Sequence, residues 1–280
     1  MAGRRVSEES LKRTLIAAGA LLLLVFTLSP LVWMLWVSLA SKPDFLFTGV
    51  ARYTLGNYRN VLTSPTLHFV DYFRNSLIVA SVTAVAVTII ASIAGYAVSR
   101  MRFPGRVVVP LFVLAMSMFP PISIVGYLYQ WFSSLGLINT HAGLILPYSA
   151  LTVSLALWIN MSYFAQIPVD LDRAALVDGA GRLAVLFKIV FPLALPGIFS
   201  AFLLVFIACF NEFLFALMLT LDPFAQTLPV GIAMFEGLHG EVPWGNLMAA
   251  SALATLPLVA LTLIFQRYIV QGLMGGAVKG

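Results

Sequence analysis

The stretch QIPVDLDRAALVDGAGRLAVLFKIVFP, residues Gln166–Pro192, decides how this chain can fold, because it is the most polar stretch between two long apolar runs. We call it the polar segment. Its charged residues are Asp170, Asp172, Arg173, Asp178, Arg182 and Lys188. A charge at the centre of a bilayer costs roughly 2.5–3.5 kcal/mol or more, so the polar segment cannot span a membrane.

The first half of the polar segment nevertheless has the pattern of a helix. Pro168 suits a first helical turn, where its missing N–H is no loss, and Asp170 and Asp172 come next, where the helix dipole favours negative charge. Gly179 and Gly181 can end this helix. The residues that share one stripe, at spacings of three and four, are Leu171, Ala174, Ala175 and Asp178.

The second half predicts another short helix, over Arg182–Phe191, and Pro192 separates this helix from the next apolar run. The whole is a short helix with small side chains on one face, followed by a bend, at a membrane surface. Small side chains let the backbone of another protein approach closely, which favours a docking site for a partner. An amphipathic helix resting on lipid headgroups is the other interpretation of the pattern.

Composition identifies the chain as a membrane protein. Of its 280 residues, 61% are hydrophobic and only 10% are charged, whereas soluble domains carry about 25% charged residues. The mean hydropathy is +0.98. The net charge of +5 does not indicate nucleic-acid binding, because the basic residues lie at the ends of apolar runs. A single cysteine, Cys209, excludes an intrachain disulfide, and we expect it to be a packing residue.

Six apolar runs long enough to cross a bilayer predict an all-α polytopic protein with six transmembrane helices. They are Leu15–Ala40, Asn75–Ser99, Val107–Trp131, Ala142–Phe164, Leu193–Leu221 and Leu247–Ile269. The first has the polarity of a signal peptide, but its apolar part is too long for one, so we expect an uncleaved span. Pro120-Pro121 interrupts the third, either as a kink or as a break whose freed backbone groups face protein or water.

The distribution of lysine and arginine predicts the orientation of these spans. With six spans both chain ends lie on one side, and that side carries twelve of the 16 basic residues. They are Arg4, Arg5, Lys12, Arg13, Arg100, Arg102, Arg106, Arg173, Arg182, Lys188, Arg267 and Lys279. The other side carries Lys42, Arg52, Arg59 and Arg74. The richer side is cytoplasmic, which places both termini and the polar segment in the cytoplasm.

The sequence contains no constellation typical of an enzyme. It has no G-x-x-x-x-G-K-[ST], G-x-S-x-G or H-E-x-x-H motif. The three histidines, His68, His141 and His239, fall in separate loops, so we expect no metal site. The chain is therefore not expected to be an enzyme or to hold a cofactor, and active transport would draw its energy from a partner.

Asn211-Glu212, within FIACFNEFLFALM, places one acid well inside a predicted span. An ionisable residue at membrane depth is a functional-site hypothesis by default. Glu212 can line a translocation path, pair with a group on a partner subunit, or make a structural hydrogen bond. Asn211 and Asn160, near the inner end of the fourth span, are further candidates for the path.

Glu212 also leaves open a proton-coupled secondary carrier as an alternative function. Such carriers usually show paired halves with broken helices, and this sequence shows no such pairing. A membrane scaffold without transport is a third possibility that the composition allows.

The polar segment resembles the cytoplasmic coupling loop of ABC-importer permeases. The residues that match its pattern in register are Ala174, Ala175, Gly179, Ile189 and Pro192, with Asp178 and Ala180 beside the glycine. Arg173 stands where the family usually has glutamate, and Phe191 where it usually has leucine. Asp172, one residue before Arg173, is a candidate to supply the negative charge in place of that glutamate, although it points about 100° away around the helix.

Further stretches along the chain resemble the smaller, six-span permeases of maltose transporters. They are LGNYRNVL (Leu55–Leu62), FRNSLIVA (Phe73–Ala80), GYAVSRMRFPGR (Gly95–Arg106), FNEFLFAL (Phe210–Leu217) and QRYIVQGLMGGAVKG (Gln266–Gly280). The resemblance implies a type I ABC importer permease fold in a bacterial inner membrane. The transmembrane permease domain then covers residues 15–271, between a cytoplasmic N-terminus, 1–14, and a cytoplasmic tail, 272–280.

The resemblance also implies the partners and the interface. The partners are a second homologous permease, two ATP-binding subunits that carry ATP and magnesium, and an extracytoplasmic solute-binding protein. The chain would form half of the pathway for a sugar, a disaccharide or a glycerol phosphate type of solute. The residues expected to couple it to the ATPase are Leu171, Asp172, Arg173, Ala174, Ala175, Asp178, Gly179, Ile189 and Pro192.

Overall fold

The structure is a computed structural model that describes residues 2–41, 53–235 and 242–277, with side chains over 11–41, 53–235 and 242–266. His239 and residues 278–280 of the predicted tail lie outside the described residues. The helices are α1 (Ala2–Leu39), α2 (Gly56–Thr63), α3 (Phe69–Arg100), α4 (Val108–Ser117), α5 (Pro121–Ser134), α6 (His141–Phe164), α7 (Val169–Val177), α8 (Arg182–Val185), α9 (Phe191–Phe210), α10 (Leu214–Leu219), α11 (Leu228–Ala233) and α12 (Trp244–Ala277). A π-helical turn, Leu186–Val190, joins α8 to α9.

The described residues contain five continuous helices that are long and apolar enough to cross a membrane. They are Leu11–Leu39, Phe69–Arg100, His141–Phe164, Arg182–Phe210 and Trp244–Gln266. The pair α4 and α5 meets the same criteria together, but it is bent by 87°. With this pair as one span the count is six, as the sequence predicts, and the bend falls at Pro120-Pro121. An angle of this size exceeds a simple kink and is typical of a broken span or a re-entrant loop.

The predicted boundary at Pro192 is wrong. One continuous helix runs from Arg182 through the π turn to Phe210, so Pro192 lies inside it and does not separate two helices. A proline in a helix loses one hydrogen bond and crowds the carbonyl four residues earlier. The π turn lies directly before Pro192, and in it the Phe191 N–H donates to the Leu186 carbonyl, five residues earlier. This wider turn accommodates the proline ring and its missing N–H within the helix.

The described contacts divide the chain into two compact units, Met1–Pro65 with Phe235–Leu253 and Thr66–Met234 with Ala254–Gly280. The larger unit is built on α3, α6 and α9, which pack against one another. Small residues with no exposed surface line these contacts: Ala80, Ala84, Ala91, Ala156 and Ala201. At Gly197 of α9 an added Cβ would lie 2.1 Å from Cγ of Tyr163, so only glycine permits this approach to α6.

A polar network fixes the segment before α11 in the larger unit. The Asn75 amide on α3 donates to the carbonyls of Phe224 and Gln226, at 2.8 and 2.9 Å. The Asn75 side-chain oxygen lies 2.9 Å from Nε2 of His141. His141, predicted to lie in a loop, is the first residue of α6 and has a structural role there.

The smaller unit joins the end of α1 to α2. The Asn57 amide donates to the carbonyls of Ser38 and Ala40, each at 2.8 Å, and the hydroxyls of Ser38 and Tyr58 are 2.7 Å apart. Gly245, at the start of α12, lies so close that an added Cβ would be 2.6 Å from Nδ2 of Asn57. None of the apolar window of α1 is buried within the described chain, which suits a helix that meets lipid or a partner.

Candidate functional site: the polar segment

The helix predicted in the first half of the polar segment is α7, and local signals define both of its ends. Pro168 precedes its first residue, and Asp170 and Asp172 occupy the first turn. At the other end Gly179 adopts a left-handed conformation, with φ of +83°. The Gly179 N–H donates to the Leu176 carbonyl and the Ala180 N–H to the Ala175 carbonyl. These two bonds form a Schellman motif, which confirms that Gly179 ends the helix.

The two faces of α7 have different environments. Asp172 and Ala175 are 5% and 7% exposed and face the interior of the protein. The remaining surface of the helix carries exposed side chains, namely Leu171, Arg173, Ala174, Leu176, Val177 and Asp178. Of its large apolar side chains, Val177 is the most exposed, at 87%, compared with 41% for Leu171 and 36% for Leu176. The predicted stripe is therefore split, because Ala175 packs inward while Leu171, Ala174 and Asp178 remain available to a partner.

Arg173, which departs from the family pattern, makes an exposed ion pair. Its Nη1 lies 3.1 Å from Oδ1 of Asp170, and the two side chains are 72% and 86% exposed. An exposed pair one turn apart on a helix contributes little to stability. The ion pair of Arg173 therefore contributes little to holding α7 against the rest of the chain. Asp172 is buried, so it does not offer a partner the carboxylate that the family's usual glutamate would supply at position 173.

Asp172 forms a buried ion pair with Arg100, the last residue of α3. Nε of Arg100 lies 3.6 Å from Oδ2 of Asp172, and the two side chains are 5% and 7% exposed. Nη2 of Arg100 also donates to the carbonyls of Phe164 and Ile167, at 2.7 and 2.6 Å. One guanidinium thus joins the end of α3, the end of α6 and the first turn of α7.

A buried apolar cluster, which we call the anchor cluster, supports the same region. Its members are Tyr96, Phe164, Ala175, Val185, Leu186, Val190, Ala194 and Ile198, and Ile167, Ala180, Ile189 and Phe191 pack against it. The anchor cluster combines residues of α3, α6, α7 and the long helix Arg182–Phe210. Of the predicted coupling residues, Asp172, Ala175 and Ile189 thus hold the segment in place. Pro192 and Gly179 are exposed.

Glu212 does not lie inside a continuous span, contrary to the expectation from the sequence. The helix α9 ends at Phe210, and α10 begins at Leu214. Between them the Glu212 carboxylate accepts the backbone N–H of Phe215 at 2.9 Å and that of Ala216 at 3.2 Å. Glu212 therefore caps α10, since it satisfies N–H groups that have no partner within the helix.

Glu212 also borders a cavity of about 260 Å³ between α6 and α9. The lining residues are Tyr148, Leu151, Thr152, Leu155, Ala208, Cys209 and Glu212. Asn211 is exposed, and its amide donates to the Ile207 carbonyl at 2.8 Å. The assignment of Asn211 and Glu212 to a solute path stays a prediction.

Asn160, the third candidate for the path, is fully buried. Its amide donates to the Ser92 hydroxyl at 3.1 Å, which links α6 to α3. These contacts give Asn160 a role in helix packing, and its place on a path stays a prediction. Among the described residues, no group of three His, Cys, Asp or Glu side chains could hold a metal ion.

Sequence reasoning missed Arg100. Its position directly after an apolar run marks it as an orientation signal, and the positive-inside rule accounts for such a residue completely. What distinguishes Arg100 from Arg102 and Arg106 is burial, since both of those are exposed. An arginine directly after one span, with an aspartate in the first turn of a short helix that follows a later span, is the signal that could have suggested the pair.

Comparison with known proteins gives a consistent set of relatives. A family model described as binding-protein-dependent transport system inner membrane component matches residues 87–275. The trehalose/maltose transport system permease protein MalG of Thermococcus litoralis is 53% identical over 275 residues, which cover 98% of this chain and 99% of that protein. The trehalose transport system permease protein SugB of Mycobacterium tuberculosis is 37% identical, with 100% of both chains covered. The sulfoquinovosyl glycerol transport system permease protein SmoH of Agrobacterium fabrum is 34% identical, with 94% of this chain and 92% of that protein covered.

A solved structure shares the fold. It is a chain of a bacterial ABC transporter involved in the import of the acidic polysaccharide alginate, with a TM-score of 0.74 at 21% identity, over 91% of this chain and 96% of that one. A bacterial alginate ABC transporter in complex with a periplasmic protein bound to an alginate pentasaccharide matches with a TM-score of 0.68 at 15% identity, over 94% of both chains. The all-helical fold of an ABC importer permease is therefore confirmed.

Proposed function

Because this chain belongs to the family of binding-protein-dependent transport system inner membrane components, we propose that it forms half of the translocation pathway of an ATP-driven importer. The family consists of multi-pass inner membrane permeases, so the chain is a transport subunit, not an enzyme, and it holds no cofactor of its own. A binding protein delivers the solute, and a separate chain hydrolyses ATP.

The solute we propose is a small carbohydrate of the trehalose or maltose class. The 53% identity with a trehalose/maltose permease supports this assignment, and a 37% identical relative is named for trehalose. A third relative is named for a glycoside of glycerol, which widens the class to glycosides with few sugar units.

The partners we propose are a second homologous permease, two ATP-binding subunits and an extracytoplasmic solute-binding protein. The excess of lysine and arginine at one set of span ends supports cytoplasmic termini and a cytoplasmic polar segment. In that orientation residues 1–14 and 272–280 flank a transmembrane domain of residues 15–271 on the side where the ATP-binding subunits lie.

The observation that carries this proposal is the split environment of α7. Its outward face offers Leu171, Ala174, Val177 and Asp178, while Asp172 and Ala175 fix its inward face to the rest of the permease. ATP binding closes the ATPase dimer and draws this outward face with it. The anchor cluster carries the movement to α6 and α9, and hydrolysis reverses it. Such coupling requires that the docked helix favours one of the two states of the ATPase.

Two contacts of Glu212 argue against the alternative of a proton-coupled carrier. Both carboxylate oxygens already accept backbone N–H groups, so a structural role accounts for this acid at membrane depth. The family supports ATP as the energy source.

The test is purification of the chain with its partners and measurement of uptake in proteoliposomes. We expect a complex that contains nucleotide-binding chains and that accumulates a radiolabelled disaccharide only when ATP and the loaded binding protein are both supplied. Normal uptake by this chain alone, driven by a proton gradient, would overturn the proposal.

A further inference from the structure

Arg100 occupies a position where three segments of the larger unit meet. It is the last residue of α3, and its Nη2 donates to the carbonyls of Phe164 and Ile167. Phe164 is the last residue of α6, so its carbonyl is one of the four that a helix leaves without an internal partner at its C-terminus. A cation at this place also suits the negative end of the α6 dipole.

Nε, which lies on the same edge of the guanidinium as Nη2, is 3.6 Å from Oδ2 of Asp172 in the first turn of α7, which is an ion pair without a hydrogen bond. Because both side chains are buried, solvent screens this pair far less than it screens the exposed pair between Arg173 and Asp170. A planar guanidinium can serve a carboxylate and two carbonyls at once, because its donors point in fixed directions. A lysine ammonium keeps the charge but presents its donors from one point.

We propose that Arg100 is a positioning residue for coupling, which transmits the movement of α7 to α3 through Asp172 and to the end of α6 through the carbonyls of Phe164 and Ile167. This inference rests on the proposed function and adds α3 to the helices that move. The anchor cluster packs α7 against the span ends, and Arg100 adds two directional hydrogen bonds to the carbonyls of Phe164 and Ile167 and a buried charge attraction to Asp172 on α7.

The test uses the assembled transporter in proteoliposomes with three variants. Arg100→Lys keeps the positive charge but removes the planar guanidinium with its several N–H donors. Asp172→Asn removes the negative charge with little change of shape. Arg106→Lys is the control, since Arg106 is exposed and lies six residues after Arg100. The quantities measured are the amount of assembled complex, the rate of ATP hydrolysis and the number of solute molecules taken up per ATP.

For Arg100→Lys and Asp172→Asn we expect complexes that assemble and hydrolyse ATP, with uptake per ATP reduced at least about fivefold, the lower end of common coupling between sites. Arg106→Lys should keep the native ratio. A double-mutant cycle adds Arg100→Gln alone and Arg100→Gln combined with Asp172→Asn. The combination removes both charges, so its loss of uptake per ATP should be smaller than the product of the losses in Arg100→Gln alone and Asp172→Asn alone.

Three outcomes would overturn the proposal. An unchanged ratio in Arg100→Lys and Asp172→Asn leaves no role in coupling. If uptake, ATP hydrolysis and the amount of assembled complex all fall together, the pair of Arg100 and Asp172 is purely structural. Failure of both variants to assemble leads to the same conclusion. If the native complex contains no ATPase, the proposed function is wrong, and this inference, which rests on it, is wrong as well. A native complex with ATP-driven uptake and unaltered variants refutes this inference alone.

Discussion

Gly179 shows how one residue sets the geometry of the polar segment. Its φ of +83° lies in the left-handed region, which costs an L-residue roughly 1–2 kcal/mol. The turn it makes places Ala180 on the anchor cluster directly after α7. The next helix, α8, therefore begins at Arg182 without a long loop.

We expect Gly179→Ala to lower the stability of the polar segment by about 1–2 kcal/mol, because alanine must adopt the strained conformation. Gly179→Asn should cost less, since asparagine tolerates this region. Thermal unfolding of the purified complex, together with proteolysis within Gln166–Pro192, measures the effect. Gly181→Ala is the matched control, because Gly181 has an extended backbone and an added Cβ there meets nothing within 4 Å. Equal losses at both glycines would contradict the account.

Glu212 allows a second prediction at a single residue. Glu212→Ala removes the cap of α10 and should cost about 0.5–2 kcal/mol of stability, as loss of a helix cap does. Glu212→Gln keeps one oxygen acceptor for Phe215 or Ala216 and should retain most of the ATP-driven uptake. Melting of the purified complex and uptake in proteoliposomes distinguish the two variants. A stable Glu212→Gln complex without uptake would assign the carboxylate to transport itself.

The helices illustrate which structural signals are local. The ends of α7 could be predicted because proline, aspartates and glycine act within one turn of where they stand. The π turn before Pro192 has no such local signal, so the sequence predicted two separate helices where the single helix Arg182–Phe210 is found. The early end of α9 was missed for a related reason, since FNEFLFAL is as apolar as a continuous span. Only the contacts of the Glu212 carboxylate reveal that a new helix starts there.

Close approach of α6 and α9 gives a prediction for a pair of helices. In Gly197→Ala the new methyl group would overlap the Tyr163 ring near Cγ, where the side chain cannot swing away without moving its backbone. Overpacking of this kind costs about 1–3 kcal/mol. The melting temperature of the purified complex reports the loss. Gly126→Ala is the control, because an added Cβ on α5 meets nothing within 4 Å. A melting temperature that falls equally in both variants would show that the contact is not tight.

The exposed face of α7 gives a prediction for binding. Val177 is 87% exposed, so Val177→Ser should leave the permease as stable as before. If the ATPase covers this face, the loss of buried apolar surface weakens its binding by about 1.5 kcal/mol, or about tenfold in Kd. Titration of the ATP-binding subunit onto permease in nanodiscs measures this. Val107→Ser, at an exposed position after α3, should leave the affinity unchanged. Unaltered affinity in Val177→Ser would remove Val177 from the interface.

At the scale of the whole molecule, hydropathy and charge predicted six spans, and the resemblance predicted the ABC permease fold. The fold is confirmed by the structure and by the match to the alginate transporter chain. Residues on α7 were predicted from the same pattern, but their roles could not be separated, because the sequence does not show that Asp172 and Ala175 are buried whereas Leu171 and Ala174 are exposed. Arg100 illustrates the limit further, since its partners are 64, 67 and 72 residues away in sequence, as the numbering of Phe164, Ile167 and Asp172 shows.

The central claim is that the exposed face of α7 lies on the cytoplasmic side against a nucleotide-driven subunit. The chain has one cysteine, Cys209, which is buried, so Val177→Cys in a Cys209→Ser background offers a single accessible thiol. A thiol-to-amine crosslinker applied to inside-out membrane vesicles should join this position to the ATP-binding subunit, with a yield that changes when ATP is bound. Labelling of the thiol from the outside of right-side-out vesicles, with no crosslink to a nucleotide-binding chain, would contradict the account.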